Sequence, residues 1–307
     1  MKRSLKDYFV ISLKGLAMGA ADVVPGVSGG TIAFISGIYD ELIDSIDSIN
    51  LTNIKLLKTD GITAFFKAVN GQFLISLFLG IGISVLSLAR LFKYLLETKP
   101  ILVWAFFFGL VLASIVFIAK QIKKWNILAV ILLLIGIGIA YYITIIPAIG
   151  SASNSPLFLI FAGALAICAM ILPGISGAFI LLLLGAYKPT IDAINNHEYK
   201  NIAYLAIGAI VGLLSFAKVL KWLFKNYKNA TLAILTGFVI GSLNKIWPWK
   251  EVLQSVVING KTKILQEKSI SPFTVENNNL TAAILLAILG FLLIVVLEKL
   301  GNKKNNL

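Results

Sequence analysis

The sequence predicts an all-α polytopic membrane protein built from two inverted-topology repeats, each a re-entrant helical hairpin plus three transmembrane helices. Three observations predict it. The 307-residue chain is 58% hydrophobic and 13% charged, whereas a soluble domain is roughly a quarter charged, so its main solvent is lipid. Six apolar blocks approach or exceed the roughly 20 residues a helix needs to cross a bilayer. Two further apolar regions are interrupted by the same Pro-Gly-x-Ser-Gly pattern and align with each other without gaps.

The first repeat is expected over residues 1–150. Its opening region, 8–46, reads as helix, break, helix, because proline and glycines interrupt an apolar run. A break in lipid would leave backbone N–H and C=O groups unpaired, so it is tolerated only against protein or a water-filled cavity. That makes 8–46 a re-entrant hairpin. A polar connection over 47–72 carries Asp47, Asn50, Lys55, Lys58 and Asp60. Spanning helices follow near 73–96, 101–119 and 126–146, then an uncharged turn at 147–155.

The second repeat, 151–307, opens with a hairpin over 156–194. It continues with helices near 202–224, 230–247 and 280–297. Residues 248–279 mix Lys, Glu and Asn and read as a surface segment. The tail from Lys299 is a solvated basic end.

The repeat rests on named identities. PGVSGGTIAFISGIYDELIDSI (25–46) matches PGISGAFILLLLGAYKPTIDAI (173–194) at 10 of 22 positions. LSLARLFKYL (86–95) then pairs with LSFAKVLKWL (214–223), and Gly109 and Ser114 pair with Gly237 and Ser242. A third pairing, around Gly136 and Gly290, is weaker. One hairpin and three crossings per half force the halves into opposite orientations, the architecture of secondary transporters with a site at the pseudo-two-fold axis.

Lysine and arginine set the orientation. Lys2, Arg3, Lys6 and Lys14 place the N-terminus in the cytoplasm. Lys120, Lys123 and Lys124 follow, as do Lys221, Lys225 and Lys228, and Lys299, Lys303 and Lys304 place the C-terminus there too. The segment 248–279 falls outside despite its lysines. The N-terminus resembles a signal peptide, but cleavage after its apolar stretch would cut into the first motif, so it is read as retained.

The net charge of +13 lies largely between apolar blocks, where it meets anionic lipid rather than nucleic acid. A single cysteine, Cys168, excludes an intrachain disulfide, and a lone histidine, His197, argues against a histidine metal centre. No cofactor is expected beyond a coupling H+ or Na+.

The chemistry is expected at the two breaks, DVVPGVSGG (22–30) and ILPGISGA (171–178). Pro25 and Pro173 end one helix, and Gly26, Gly29, Gly30, Gly174 and Gly177 allow close backbone approach. The half-helix after each break offers free N–H groups to an anion. Ser28, Thr31 and Ser176 add hydroxyls. Two such tips at mid-membrane would cage a phosphate-sized anion; the alternative is that these small residues only permit tight packing.

Asp22, whose repeat counterpart is Met170, would bind a coupling cation or proton or position a cationic partner, or else cap the break. Arg90 and Lys218, paired by the repeat, would neutralise an anionic headgroup or else snorkel to the interface. Tyr39 and Tyr187 read as interface anchors, and Asp44, Asp192 and Glu41 as solvated. Both motifs also fit the GxSG pattern of rhomboid-type intramembrane serine proteases, but that chemistry needs a base beside the serine. The lone His197 lies outside the apolar blocks, so the chain reads as a transporter and not an enzyme. A small-anion transporter or channel is a further alternative.

GLAMGAADVVPGVSGGTIAFISGIYDELI (15–43) and its echo LPGISGAFILLLLGAY (172–187) resemble the PopT family of undecaprenyl-phosphate translocases. The resemblance covers essentially the whole chain. It implies a flippase of the bacterial cytoplasmic membrane that returns undecaprenyl phosphate from the outer to the cytoplasmic leaflet for cell-envelope and peptidoglycan synthesis. Carried over by position, the site residues are Asp22, Pro25, Gly26, Ser28, Gly29, Gly30 and Thr31, then Pro173, Gly174, Ser176 and Gly177. Ala178 stands where the first tip has Gly30.

Overall fold

The computed structural model describes residues 3–23, 28–146, 155–258 and 261–305. Thirteen α-helices dominate these residues. The first hairpin comprises α1 (Leu5–Val23), α2 (Gly29–Ile35) and α3 (Tyr39–Asp47). Short helices α4 (Leu51–Thr59) and α5 (Gly61–Ala68) lead into α6 (Gly71–Thr98), α7 (Pro100–Lys120) and α8 (Ile127–Ile145). The second half repeats the order with α9 (Pro156–Ile171), α10 (Gly177–Leu183), α11 (Tyr187–Asn195), α12 (Tyr199–Ser242) and α13 (Leu280–Asn305).

Local sequence explains the boundaries. Pro100 and Pro156 sit in the first turns of α7 and α9, where a missing N–H costs nothing. Asn126 accepts from the Ala129 N–H and caps α8. Gly37 and Gly185, a matched pair, adopt positive φ of 70° and 72° and turn α2 into α3 and α10 into α11. The return limb of each hairpin is therefore two short helices rather than one.

Four helical stretches are long and apolar enough to cross a bilayer: Gly71–Leu88, Pro100–Lys120, Ile127–Ile145 and Tyr199–Asn226. The helices expected at 202–224 and 230–247 are the two arms of α12, separated where Tyr227 leaves helical geometry (φ −135°, ψ 42°). The apolar part of α13, Leu280–Val296, is shorter than the other spans. The surface segment 248–279 contains an antiparallel hairpin of β1 (Lys250–Ile258) and β2 (Lys261–Ser269), an exception to the all-α expectation. The polar connection 47–72 holds α4 and α5.

Glycines bring helix backbones into contact, as small residues do in lipid. A Cβ at Gly15 would strike the Leu77 carbonyl, and one at Gly163 the Leu205 carbonyl. Gly80 faces Ser12 as Gly208 faces Ile160. These contacts join α1 to α6 and α9 to the first part of α12. Gly109 faces Ala287 as Gly237 faces Leu133, and Gly290 faces Phe106 as Gly136 faces Ile234. Every one of these four contact pairs follows the sequence alignment. The last helix of each half packs on the second long segment of the other, α8 on the end of α12 and α13 on α7. The halves are interlocked.

Candidate functional site

The two hairpin breaks touch. The Ser28 hydroxyl lies 3.0 Å from the Met170 carbonyl and 3.2 Å from that of Leu172, at the end of α9. The Gly174 N–H donates to Thr31 Oγ1 at 3.0 Å. Gly30 is pressed against the Ile171 carbonyl so closely that a Cβ would collide with it. Ser28, Gly29, Gly30, Thr31, Pro173, Gly174, Ser176 and Gly177 are all buried. Of the expected tip residues, Pro25 and Gly26 lie outside the described residues.

The first tip satisfies its own donors. Ser28, in extended conformation, caps α2 by accepting from the Gly30 N–H at 3.1 Å. The Gly29 N–H donates to Asp22 Oδ1 at 2.7 Å. Asp22 thus reaches across the break from the end of α1 and presents a carboxylate to the start of α2. Both readings of Asp22 met in the sequence survive, because a capping carboxylate is also a titratable group at the tip.

The second tip differs. Ser176 precedes α10 without capping it. Gly174, at φ +86°, lies on Val239 and Ser242 of α12, where a Cβ would meet the Val239 Cα. Ser176, Gly174 and Ser242 line a narrow cavity together with Thr144, Phe179 and Lys245. Ser176 and Lys245 share this cavity without a hydrogen bond between them. Since α2 and α10 are only 7 residues long, their dipoles are short, and the anion chemistry here rests on individual N–H and hydroxyl groups.

Sequence reasoning missed Lys245, Lys250 and Glu267. Lys245 Nζ lies 3.2 Å and Lys250 Nζ 3.3 Å from the same Glu267 Oε2. Lys245 also sits 4.6 Å over the Phe179 ring, and Lys250 sits 4.4 Å over Trp104. Burial pushes the Lys250 ammonium down to about 8; Glu267 opposes that and Lys245 adds to it. Burial would raise the Glu267 carboxyl, but the two ammonium groups outweigh it and hold it below its ordinary value. The signal was hidden because a β-hairpin brings Glu267 back over Lys250 from 17 residues away.

Other candidates fall elsewhere. Lys218 is exposed on α12 and makes no hydrogen bond or ion pair with a described residue. Arg90 falls within α6, and its side chain is outside what is described. Tyr39, expected at an interface, is 2% exposed, with its ring 5.0 Å from Phe34 and 5.8 Å from Phe224. Glu41, expected in solvent, is held by Arg3 at 2.5 and 2.6 Å and by Asn70 at 2.8 Å. Asp44 is largely exposed, as expected, and it shares Lys221 with Asp47 at 3.1 and 2.9 Å, tying α3 to α12.

Comparison with known proteins bears on the whole chain. Residues 18–264 match the VCA0040-like family, described as undecaprenyl phosphate translocase-like. The chain is 44% identical over 303 residues to a polyprenyl-phosphate transporter of Vibrio cholerae serotype O1 (strain ATCC 39315 / El Tor Inaba N16961), covering 97% of this chain and 98% of that one. It is 33% identical over 253 residues to a polyprenyl-phosphate transporter of Staphylococcus aureus (strain NCTC 8325 / PS 47), covering 77% and 85%. No solved structure matches it. With long apolar helices and a family match over most of its length, the chain is a membrane protein that belongs to the undecaprenyl phosphate translocase-like family.

Proposed function

We propose that this chain carries a polyprenyl phosphate, undecaprenyl phosphate or a close relative, from the outer to the cytoplasmic leaflet of the bacterial cytoplasmic membrane. The phosphate rests between the two hairpin tips while the isoprenoid tail stays in lipid. One observation carries this reading: tips from the two halves of the chain bond to each other through Ser28, Thr31, Met170, Leu172 and Gly174. A buried point where irregular backbone from both halves meets is where an ion or headgroup site is expected in a repeat-built transporter. The names of the two relatives supply the cargo.

The paired glycine contacts support two repeats, 1–150 and 151–307, and with the lysine and arginine pattern the reading is of opposite orientation, re-entrant hairpins and cytoplasmic termini. In that arrangement the β-hairpin faces outside. The tips are unlike: the first is bonded shut, whereas Ser176 opens onto a cavity on the β-hairpin side. That asymmetry supports alternating access, with the tips parting to let the headgroup through. Asp22 stands in for the headgroup at α2 and is released when a phosphate, a proton or Na+ competes for its place.

The Ser28 hydroxyl is engaged with backbone groups, which favours a transporter over a serine hydrolase. The test is reconstitution with a fluorescent polyprenyl phosphate and measurement of leaflet exchange. Exchange is expected with the wild type and not with Ser28→Ala/Asp22→Asn; equal exchange in both removes the tips from the mechanism.

A further inference from the structure

Two lysines beside the second tip share one carboxylate. The Lys245, Lys250 and Glu267 side chains are 20%, 9% and 19% exposed. Half-buried charge is costly unless paired, and here one positive charge is left over. Nothing adaptable holds it there, because the hairpin is fixed to the helix ends. The Trp247 indole donates to the Ile270 carbonyl at 2.9 Å and the Trp249 indole to the Asn278 carbonyl at 2.8 Å. Ser269 Oγ bonds Asn244 Oδ1 at 2.8 Å.

The surplus charge lies on a route. A polar cleft lined by Asn244, Lys245, Lys250, Glu267 and Ser269 shares Thr144 and Lys245 with the cavity that ends at Ser176. Two ammonium groups and a hydroxyl therefore run from the β-hairpin to the tip: Lys250, which also donates to the Lys245 carbonyl, then Lys245, then the Ser176 hydroxyl.

We propose that the Lys245–Lys250–Glu267 cluster is a receiving site for a phosphate monoester at the mouth of the cavity leading to the second tip. The cargo assignment rests on the function proposed above, while the anion site stands on the cluster's own geometry. Glu267 is a resident placeholder: it neutralises one ammonium while the site is free, and a phosphate dianion displaces it and neutralises both. The β-hairpin then serves to hold Glu267 in register, opposite Val252, over the end of α12.

A free phosphate and a lipid headgroup present the same chemistry, so the test has separate arms. Full-length protein in nanodiscs is titrated with geranyl phosphate, a short prenyl monoester, and separately with inorganic phosphate. Wild type, Lys245→Gln and Glu267→Gln are compared. Geranyl phosphate is expected to bind the wild type more tightly than inorganic phosphate does. Lys245→Gln is expected to weaken its binding at least tenfold, and Glu267→Gln to tighten it several-fold by removing the competitor. Glu267→Gln is also expected to lower the thermal midpoint without ligand and regain it with saturating geranyl phosphate.

Unchanged affinity in both variants, or weakening in both, overturns the proposal. Inorganic phosphate binding as tightly as geranyl phosphate overturns the lipid-headgroup assignment. In proteoliposomes, exchange whose substrate dependence is the same in the wild type and both variants ends this proposal and leaves the transport reading standing. The expected binding pattern without any wild-type exchange does the reverse.

Discussion

Thr31 is the residue whose replacement isolates the contact between the tips. Its hydroxyl oxygen, 1% exposed, accepts the Gly174 N–H at 3.0 Å. Thr31→Val keeps the shape and removes the acceptor, leaving a buried amide unpaired. That costs about 1–3 kcal/mol, or a factor of ~5 to 160 in the closed-to-parted equilibrium. The assay is hydrogen exchange of the segment 172–178 in nanodiscs. The amide of Gly174 is expected to lose protection by about that factor, and leaflet exchange to change with it, because the balance between states has moved. Thr31→Ser, which keeps the acceptor, is expected to stay near the wild type. Wild-type protection in Thr31→Val would refute the reasoning, since the tips would then be held together by something other than this bond.

Further outcomes follow from the same geometry. Gly109→Leu and its repeat counterpart Gly237→Leu each drive a side chain into a backbone carbonyl, destabilise by about 1–3 kcal/mol or more, and should lower the thermal midpoint in detergent by similar amounts. Gly82→Leu and Gly138→Leu, with open space beside them, should not. Asp22→Asn replaces the carboxylate that accepts from Gly29 and should make exchange insensitive to imposed H+ or Na+ gradients; a retained gradient response would assign coupling elsewhere.

The receiving cluster should also be pH-dependent. Lys250 is charged below about 8 and neutral above it, facing Lys245 and Glu267, while a phosphate ester becomes a dianion above about 6. Geranyl phosphate affinity should therefore be highest between those values and fall as pH rises through the Lys250 transition. A flat profile from pH 6 to about 10 would remove Lys250 from the site.

Much of the fold was written in the spacing of small residues. Gly109, Gly237, Gly136 and Gly290 align in sequence, and the helices they join cross at those points, because only a missing Cβ lets two backbones meet. The two apolar blocks at 202–224 and 230–247 were legible as two helices, and the break between them falls at Tyr227, where the backbone leaves helical geometry. The β-hairpin was hidden: KEVLQSVVI and KTKILQEKS carry too many charges to read as apolar strands, and their pairing depends on a turn rather than a pattern.

The tip residues were legible for a related reason. Ser28, Thr31 and Gly174 stand out because polar and flexible residues in lipid need a partner, and the structure pairs Thr31 with Gly174 and gives Ser28 the carbonyls of Met170 and Leu172. Lys245, Lys250 and Glu267 lay in stretches that looked like ordinary solvated charge. Their burial comes from the hairpin folding back with Trp104 beneath Lys250, which no local pattern encodes. Arg90 and Lys218 drew notice because charge within an apolar block is costly, and Lys218 lies exposed on its helix.

The most direct measurement is leaflet exchange of a fluorescent polyprenyl phosphate in proteoliposomes whose protein carries Ser28→Cys and Leu172→Cys, a pair in contact across the tips, in a Cys168→Ser background. Oxidation is expected to join the tips and stop exchange, and a reductant to restore it. Exchange that continues at the reduced rate with the tips covalently joined would contradict the passage of a headgroup between them.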